Sequence, residues 1–156
     1  MPPLGVMLED GFAVFCDEKD VGNVALTPMY LLVGCSLPLW IHPAPCDVTD
    51  SAMLHLLPLI SGLLSVGIGD SMASCVGTMI GRHRWSGSNK TIEGTVGCIL
   101  SQMLMVYLLS LSGYYYLQPY DIMKLLVGIV MVALVEANTT QVDNLVLPLL
   151  MYSVLL

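Results

Sequence analysis

Apolar residues along this chain gather into long runs broken by short polar segments, and the runs approach the roughly 20 residues that a helix needs to cross a bilayer. They extend from Val24 to Ile41, Met53 to Ile68, Thr95 to Ser112, Ile122 to Val135 and Leu145 to Leu156. Pro28, Pro38 and Pro58 lie inside the first two runs, a placement tolerated in membrane helices when neighbours satisfy the carbonyls that proline frees. The third run ends at Gly113 and the cluster Tyr114, Tyr115 and Tyr116, which suits an interfacial aromatic belt. The fourth is short and the last is half a span, as though the chain ended early. The pattern predicts an all-α, polytopic transmembrane helix bundle of about five spans, a fragment of a larger bundle. Residues 1–23 form an acidic cytoplasmic segment, and residues 24–156 form the membrane domain.

The longest polar interruption runs from Asp70 to Glu93, in GIGDSMASCVGTMIGRHRWSGSNKTIEG, and is expected as a loop over residues 70–94. It holds Arg82, Arg84 and Lys90, three of the five basic residues, beside glycines at 69, 77, 81, 87 and 94. Lys and Arg near spans are retained on the cytoplasmic side. Counting spans from this loop places EDGFAVFCDEKD, before the first span, and EANTTQVDN, after the fourth, on the same face. The opposite face receives IHPAPCDVTDS and YYYLQPYD, which carry no Lys or Arg, although Lys124 at the start of the fourth span runs against the rule.

Composition agrees with the membrane reading. Hydrophobic residues make up 56% and charged residues 11%, against about 25% charged in an average soluble domain. The net charge of −7 comes from acids clustered between spans, and an acidic, apolar chain argues against nucleic acid as a partner. Cys16, Cys35, Cys46, Cys75 and Cys98 have no CxxC spacing and read as small apolar residues. The N-terminus lacks the basic and apolar regions of a signal peptide, so insertion is expected to rely on internal spans. His42, His55 and His83 share no spacing, and no histidine metal site is expected.

Bare backbone, positive side chains and isolated carboxylates are what a magnesium-bound nucleotide requires. The spacing is not that of a Walker A loop. On the functional reading, Gly77 and Gly81 let backbone approach phosphate oxygens, Lys90 and Arg84 neutralise their charge, and Asp70 or Glu93 holds the metal. Each feature has a plainer explanation. Gly77-x-x-x-Gly81 suits helix packing, and the basic residues suit an anchor at anionic headgroups. The conjunction favours the nucleotide. Asp70 is the hardest to explain otherwise, because a carboxylate where an apolar span ends usually faces a partner or a polar cavity; Glu136 and Asp143 pose the same question after the fourth span.

The segment GDSMASCVGTMIGRHRWSGSNKTIEGT resembles the nucleotide-binding segment of the polyprenol kinase family, to which the dolichol kinases belong. The flanks agree, since DEKDVG with LTPMYLLVGCSLPLW and VEANTTQVDNLVLPLL resemble the segments before and after it. The resemblance covers nearly the whole chain but only the C-terminal part of much longer family members. It implies a CTP-dependent kinase of the endoplasmic reticulum membrane that phosphorylates dolichol, giving dolichyl phosphate for protein glycosylation. It maps the CTP segment onto Thr78 to Glu93, with Thr78, Gly81, Arg84, Trp85, Gly87, Lys90, Thr91 and Glu93 as nucleotide-binding residues. Arg82 and His83 stand where the family has an acidic residue.

The implied mechanism uses Mg²⁺ on Asp70 and Glu93 to bridge the CTP phosphates and Lys90 to steady the transferring group, while Asp143 or Asp70 accepts the alcohol proton. Two alternatives remain: a cytidylyltransferase forming a CDP-lipid, and a transporter or membrane subunit in which Asp70, Glu136 and Asp143 line an ion path. The topology carries its own check. The sequons at Asn89 and Asn138 are expected to remain unmodified on a cytoplasmic face, and an endoglycosidase-sensitive mobility shift traced to either asparagine would invert it.

Overall fold

A computed structural model describes residues 27–42, 56–113, 118–139 and 143–156, and among these residues the chain is helical without a strand. Helix α1 covers Thr27–Ile41. A short α2, Leu56–Leu59, leads into a π-helix over Leu63–Asp70, which continues directly into α3, Ser71–Met79. Helices α4, Ile92–Leu111, α5, Pro119–Asn138, and α6, Asp143–Leu155, complete the bundle.

Within the described residues, each of the five apolar runs forms helix, with two changes in extent. The second does not end at Ile68: helix runs on through Asp70 to Met79, so only Ile80 to Thr91 is loop. The fourth is longer than its apolar core, because Pro119 occupies the first turn, where a missing N–H costs nothing. By length and apolarity, α4 is the one described helix able to span a membrane, alongside shorter apolar stretches at Met29–Ile41, Leu63–Met79 and Asn144–Leu155. The acidic segment 1–23 and Tyr114 to Tyr116 lie outside the described residues.

The core forms where α4, α5, α6 and the π-helix meet, around Leu64, Val106, Leu125, Ile129, Leu147 and Met151, each at most 1% exposed. Large apolar side chains also face outward, including Leu100, Leu104 and Tyr107 on one side of α4. Such a surface suits lipid, which is as apolar as the side chains themselves. Lys124, which contradicts the charge rule, stacks its ammonium 5.1 Å from the centre of the Tyr120 ring, a cation–π contact that accommodates a cation at that end of α5.

Helices α3 and α4 pack at backbone distance. A Cβ added to Gly94 would lie 2.7 Å from the Ala73 carbonyl oxygen and 3.4 Å from the Gly77 Cα, and one added to Gly77 would lie 2.8 Å from the Thr91 hydroxyl. These glycines act as packing residues, as their spacing allows, and that packing shapes the polar end of the bundle. Gly94→Ala is expected to destabilise the protein by roughly 1–3 kcal/mol, the usual cost of overpacking, read as a lower midpoint of thermal unfolding in detergent. An unchanged midpoint would contradict the close approach.

Candidate functional site

The loop between α3 and α4 is short and internally bonded. The Trp85 N–H donates to the Lys90 carbonyl at 3.0 Å, the Ile92 N–H donates to the His83 carbonyl at 2.9 Å, and Arg84 pairs with Thr91 in an isolated antiparallel bridge. The turn between them needs Gly87, whose φ of +87° is the left-handed conformation that glycine adopts without strain. The Ser88 hydroxyl accepts from the Lys90 N–H at 3.0 Å. The Trp85 indole N–H donates to the Thr95 hydroxyl at 3.1 Å, fastening the loop to α4.

Thr91 caps α4, its hydroxyl accepting from the Gly94 N–H at 3.2 Å, as expected of an N-cap threonine. Glu93 sits in the first turn of the helix, where a negative charge complements the helix dipole. Its carboxylate accepts from the His83 N–H at 3.2 Å and lies 2.7 Å from the imidazole Nδ1.

A cavity of about 530 Å³ opens between loop and helices. One wall is a single face of continuous helix: Asp70, Ala73, Ser74, Gly77 and Thr78 recur at intervals of three and four residues, the spacing that aligns side chains along a helix, and Gly81, just past the helix end, extends the wall. The Thr78 hydroxyl donates to backbone carbonyls of its own helix, at 2.9 Å to Ser74. Opposite this wall stand Arg84, Asn89, Lys90 and Thr91 from the loop, with Gly94 and Thr95 from the start of α4. A helix N-terminus beside two cations is a favourable environment for an anion.

Glu136 lines the same cavity from the last turn of α5. A negative charge at a helix C-terminus opposes the dipole, and Glu136 is 4% exposed, so the carboxylate needs a cation. Lys90 supplies it, with Nζ 3.6 Å from Oε1. Behind it, the Cys98 thiol donates to Oε2 at 3.4 Å, and the Gln102 amide nitrogen donates to the Cys98 sulfur at 3.1 Å. The ion pair brings the end of α5 to the basic loop, so the two polar stretches share one end of the bundle.

Of the residues singled out in the sequence, Asp70, Thr78, Gly81, Arg84, Lys90 and Thr91 line the cavity. Trp85, Gly87 and Glu93 do not; they hold the loop, through the bond to Thr95, the turn and the pairing with His83. Asp143 begins α6. Among the described residues, no three or more of His, Cys, Asp and Glu gather as metal ligands. Sequence reasoning missed Ser74, Asn89 and Thr95 in the wall. The three-and-four spacing from Asp70 would have found Ser74 had that stretch been read as helix.

The chain is 43% identical to the dolichol kinase of Mus musculus over 149 residues, which is 94% of this chain and 28% of that protein. It is 37% identical to dolichol kinase EVAN of Arabidopsis thaliana over 158 residues, 98% of this chain and 26% of that protein. The dolichol kinase of Saccharomyces cerevisiae is 31% identical over 153 residues, 97% of this chain and 27% of that protein. No protein-family model matches the chain, and no solved structure does. The chain is similar to the C-terminal portion of these dolichol kinases, and it spans little more than a quarter of the length of the curated relatives it matches.

Removing Lys90 leaves a buried carboxylate without its counter-ion. Lys90→Ala is expected to cost roughly 3 kcal/mol, the low end for breaking a buried pair, and adding Glu136→Gln should recover part of the loss. Thermal unfolding of the two single variants and the double variant provides the cycle, and additive losses would refute the pairing.

Proposed function

We propose that this chain carries the nucleotide site of a CTP-dependent dolichol kinase, which transfers the γ-phosphate of CTP to the terminal hydroxyl of dolichol and forms dolichyl phosphate for protein glycosylation. The protein acts in the endoplasmic reticulum membrane with its basic loop on the cytosolic side. The observation that carries this reading is the cavity where Arg84, Lys90 and the start of α4 face the small-residue wall of α3, in a chain similar to dolichol kinases along nearly its whole length.

Phosphoryl transfer depends on positioning and on neutralising charge more than on covalent chemistry. Arg84 and Lys90 meet the phosphates, and the first turn of α4 presents backbone N–H groups beside them. Gly77 and Gly81 let α3 and the loop close against Thr91 at the edge of the cavity, which holds the start of α4 and the two cations around the phosphates. An alcohol tethered by a long isoprenoid cannot leave the bilayer, and a site at the polar end of a membrane bundle lets only its hydroxyl emerge.

The residues present fit a divalent cation in one respect. Mg²⁺ takes one or two carboxylates and completes its shell with substrate phosphates and water, and Asp70 offers a carboxylate on the cavity wall. Glu93, engaged with His83 outside that wall, is left the structural role of tying loop to helix. When bound, Mg²⁺ would offset the negative charge of the triphosphate.

The full protein in lipid nanodiscs, given γ-labelled CTP and a polyprenol, is expected to leave the label on extracted lipid. Label released as pyrophosphate would replace this reading with a cytidylyltransferase, and ion flux without CTP binding would replace it with a transporter. Asp70→Asn is expected to lower transfer by at least about 100-fold with membrane insertion unchanged.

A further inference from the structure

The polar groups of the cavity do not end at its surface. Glu136, Cys98 and Gln102 form a connected line from the cavity into the bundle core, with Cys98 and Gln102 both 0% exposed. Gln102 Oε1 is buried without a hydrogen-bond partner, which ordinarily costs stability. Its amide lies against Gly69 of the π-helix, where a Cβ would collide with it. An amide kept in so confined a place, with its nitrogen committed to a sulfur, fixes the orientation of the groups it touches.

We propose that Glu136 takes the proton of the acceptor alcohol, and that Cys98 and Gln102 are the positioning residues that orient its carboxylate. This rests on the kinase reading above. The two oxygens of Glu136 differ. Oε2 receives the Cys98 S–H, whereas Oε1 faces Lys90, which also lines the cavity. Asp70 is only half-buried, so Glu136, 4% exposed, is the lining carboxylate set deepest, at the boundary between the polar cavity and the apolar interior of the bundle.

In the step itself, the alcohol oxygen bonds to the γ-phosphorus as the bond from that phosphorus to the β–γ bridging oxygen breaks. The nucleoside diphosphate leaves with the electron pair, and the alcohol proton passes to Glu136 Oε1. Lys90 stands beside both the carboxylate and the cavity, where it balances the charge that moves between them. A thiol donor on Oε2 leaves Oε1 as the oxygen that receives the proton.

The test measures single-turnover phosphate transfer from γ-labelled CTP to a polyprenol, and separately the binding of CTP, on the full protein in lipid nanodiscs. Glu136→Gln is expected to slow transfer by at least about 100-fold, within the range for general base catalysis, with CTP affinity changed less than about threefold. Cys98→Ala is expected to slow transfer about tenfold through misorientation, and Cys98→Ser, which keeps a donor and an acceptor, to restore most of it. Transfer by Glu136→Gln within about fivefold of native, loss of transfer and CTP binding together, or Cys98→Ser no faster than Cys98→Ala would each overturn the assignment. Native protein that binds no CTP and transfers no phosphate would overturn the kinase reading along with it, whereas an active native protein with a near-native Glu136→Gln variant would overturn this inference alone.

Discussion

Backbone meets backbone where Gly77 of α3 faces Gly94 of α4, and the polar end of the molecule is organised around that contact. With a side chain at either glycine, the start of α4 would stand away from α3. The wall of Asp70, Ser74 and Gly77 would then no longer face Arg84 and Lys90. Burial of apolar side chains supplies most of the cohesion of a soluble domain, but it discriminates weakly among helices surrounded by lipid. Close packing through small residues takes over that role, and here the same contact encloses the cavity.

Charge then sets what the enclosure does. Glu136 is buried at the unfavourable end of a helix dipole, and the side chain that answers it comes from the loop rather than from a neighbouring helix. The ion pair joins two segments that lie 46 residues apart by their numbering, a closure that a merely solvated loop would not require. On the outer side, Glu93 holds His83 and Trp85 holds Thr95. Loop residues therefore divide into those facing the cavity and those keeping it in shape.

That division was partly legible in the sequence. The five apolar runs marked the helices, because each run exceeds what a soluble turn tolerates, and the cluster of Arg84, Lys90 and glycines marked the site. The extent of α3 was not legible: Asp70, Ser71, Ser74 and Thr78 lower the apolarity enough to resemble a loop, and tertiary packing against α4 overrides that local signal. The roles of Trp85 and Glu93 were hidden for a similar reason, since a tryptophan or an acid in a phosphate-binding sequence serves equally well as a ligand or as a brace, and only coordinates separate the two. Glu136 carried a weak signal, an ionisable residue at the end of an apolar span. Its partners Cys98 and Gln102 carried none, being small or neutral residues in the middle of a helix.

The π-helix at Leu63–Asp70 bears on how this segment tolerates insertions and deletions. Its wider turn holds extra backbone relative to an α-helix, and each residue of α-helix turns the chain by about 100°. Deleting one residue between Leu63 and Asp70 would let the stretch tighten to α-helical turns, which takes up part of the change and limits the rotation of α3, whereas an inserted residue finds no such slack. Length within these eight residues is therefore forgiving in one direction, and a protein of this kind would lose a residue there more readily than gain one.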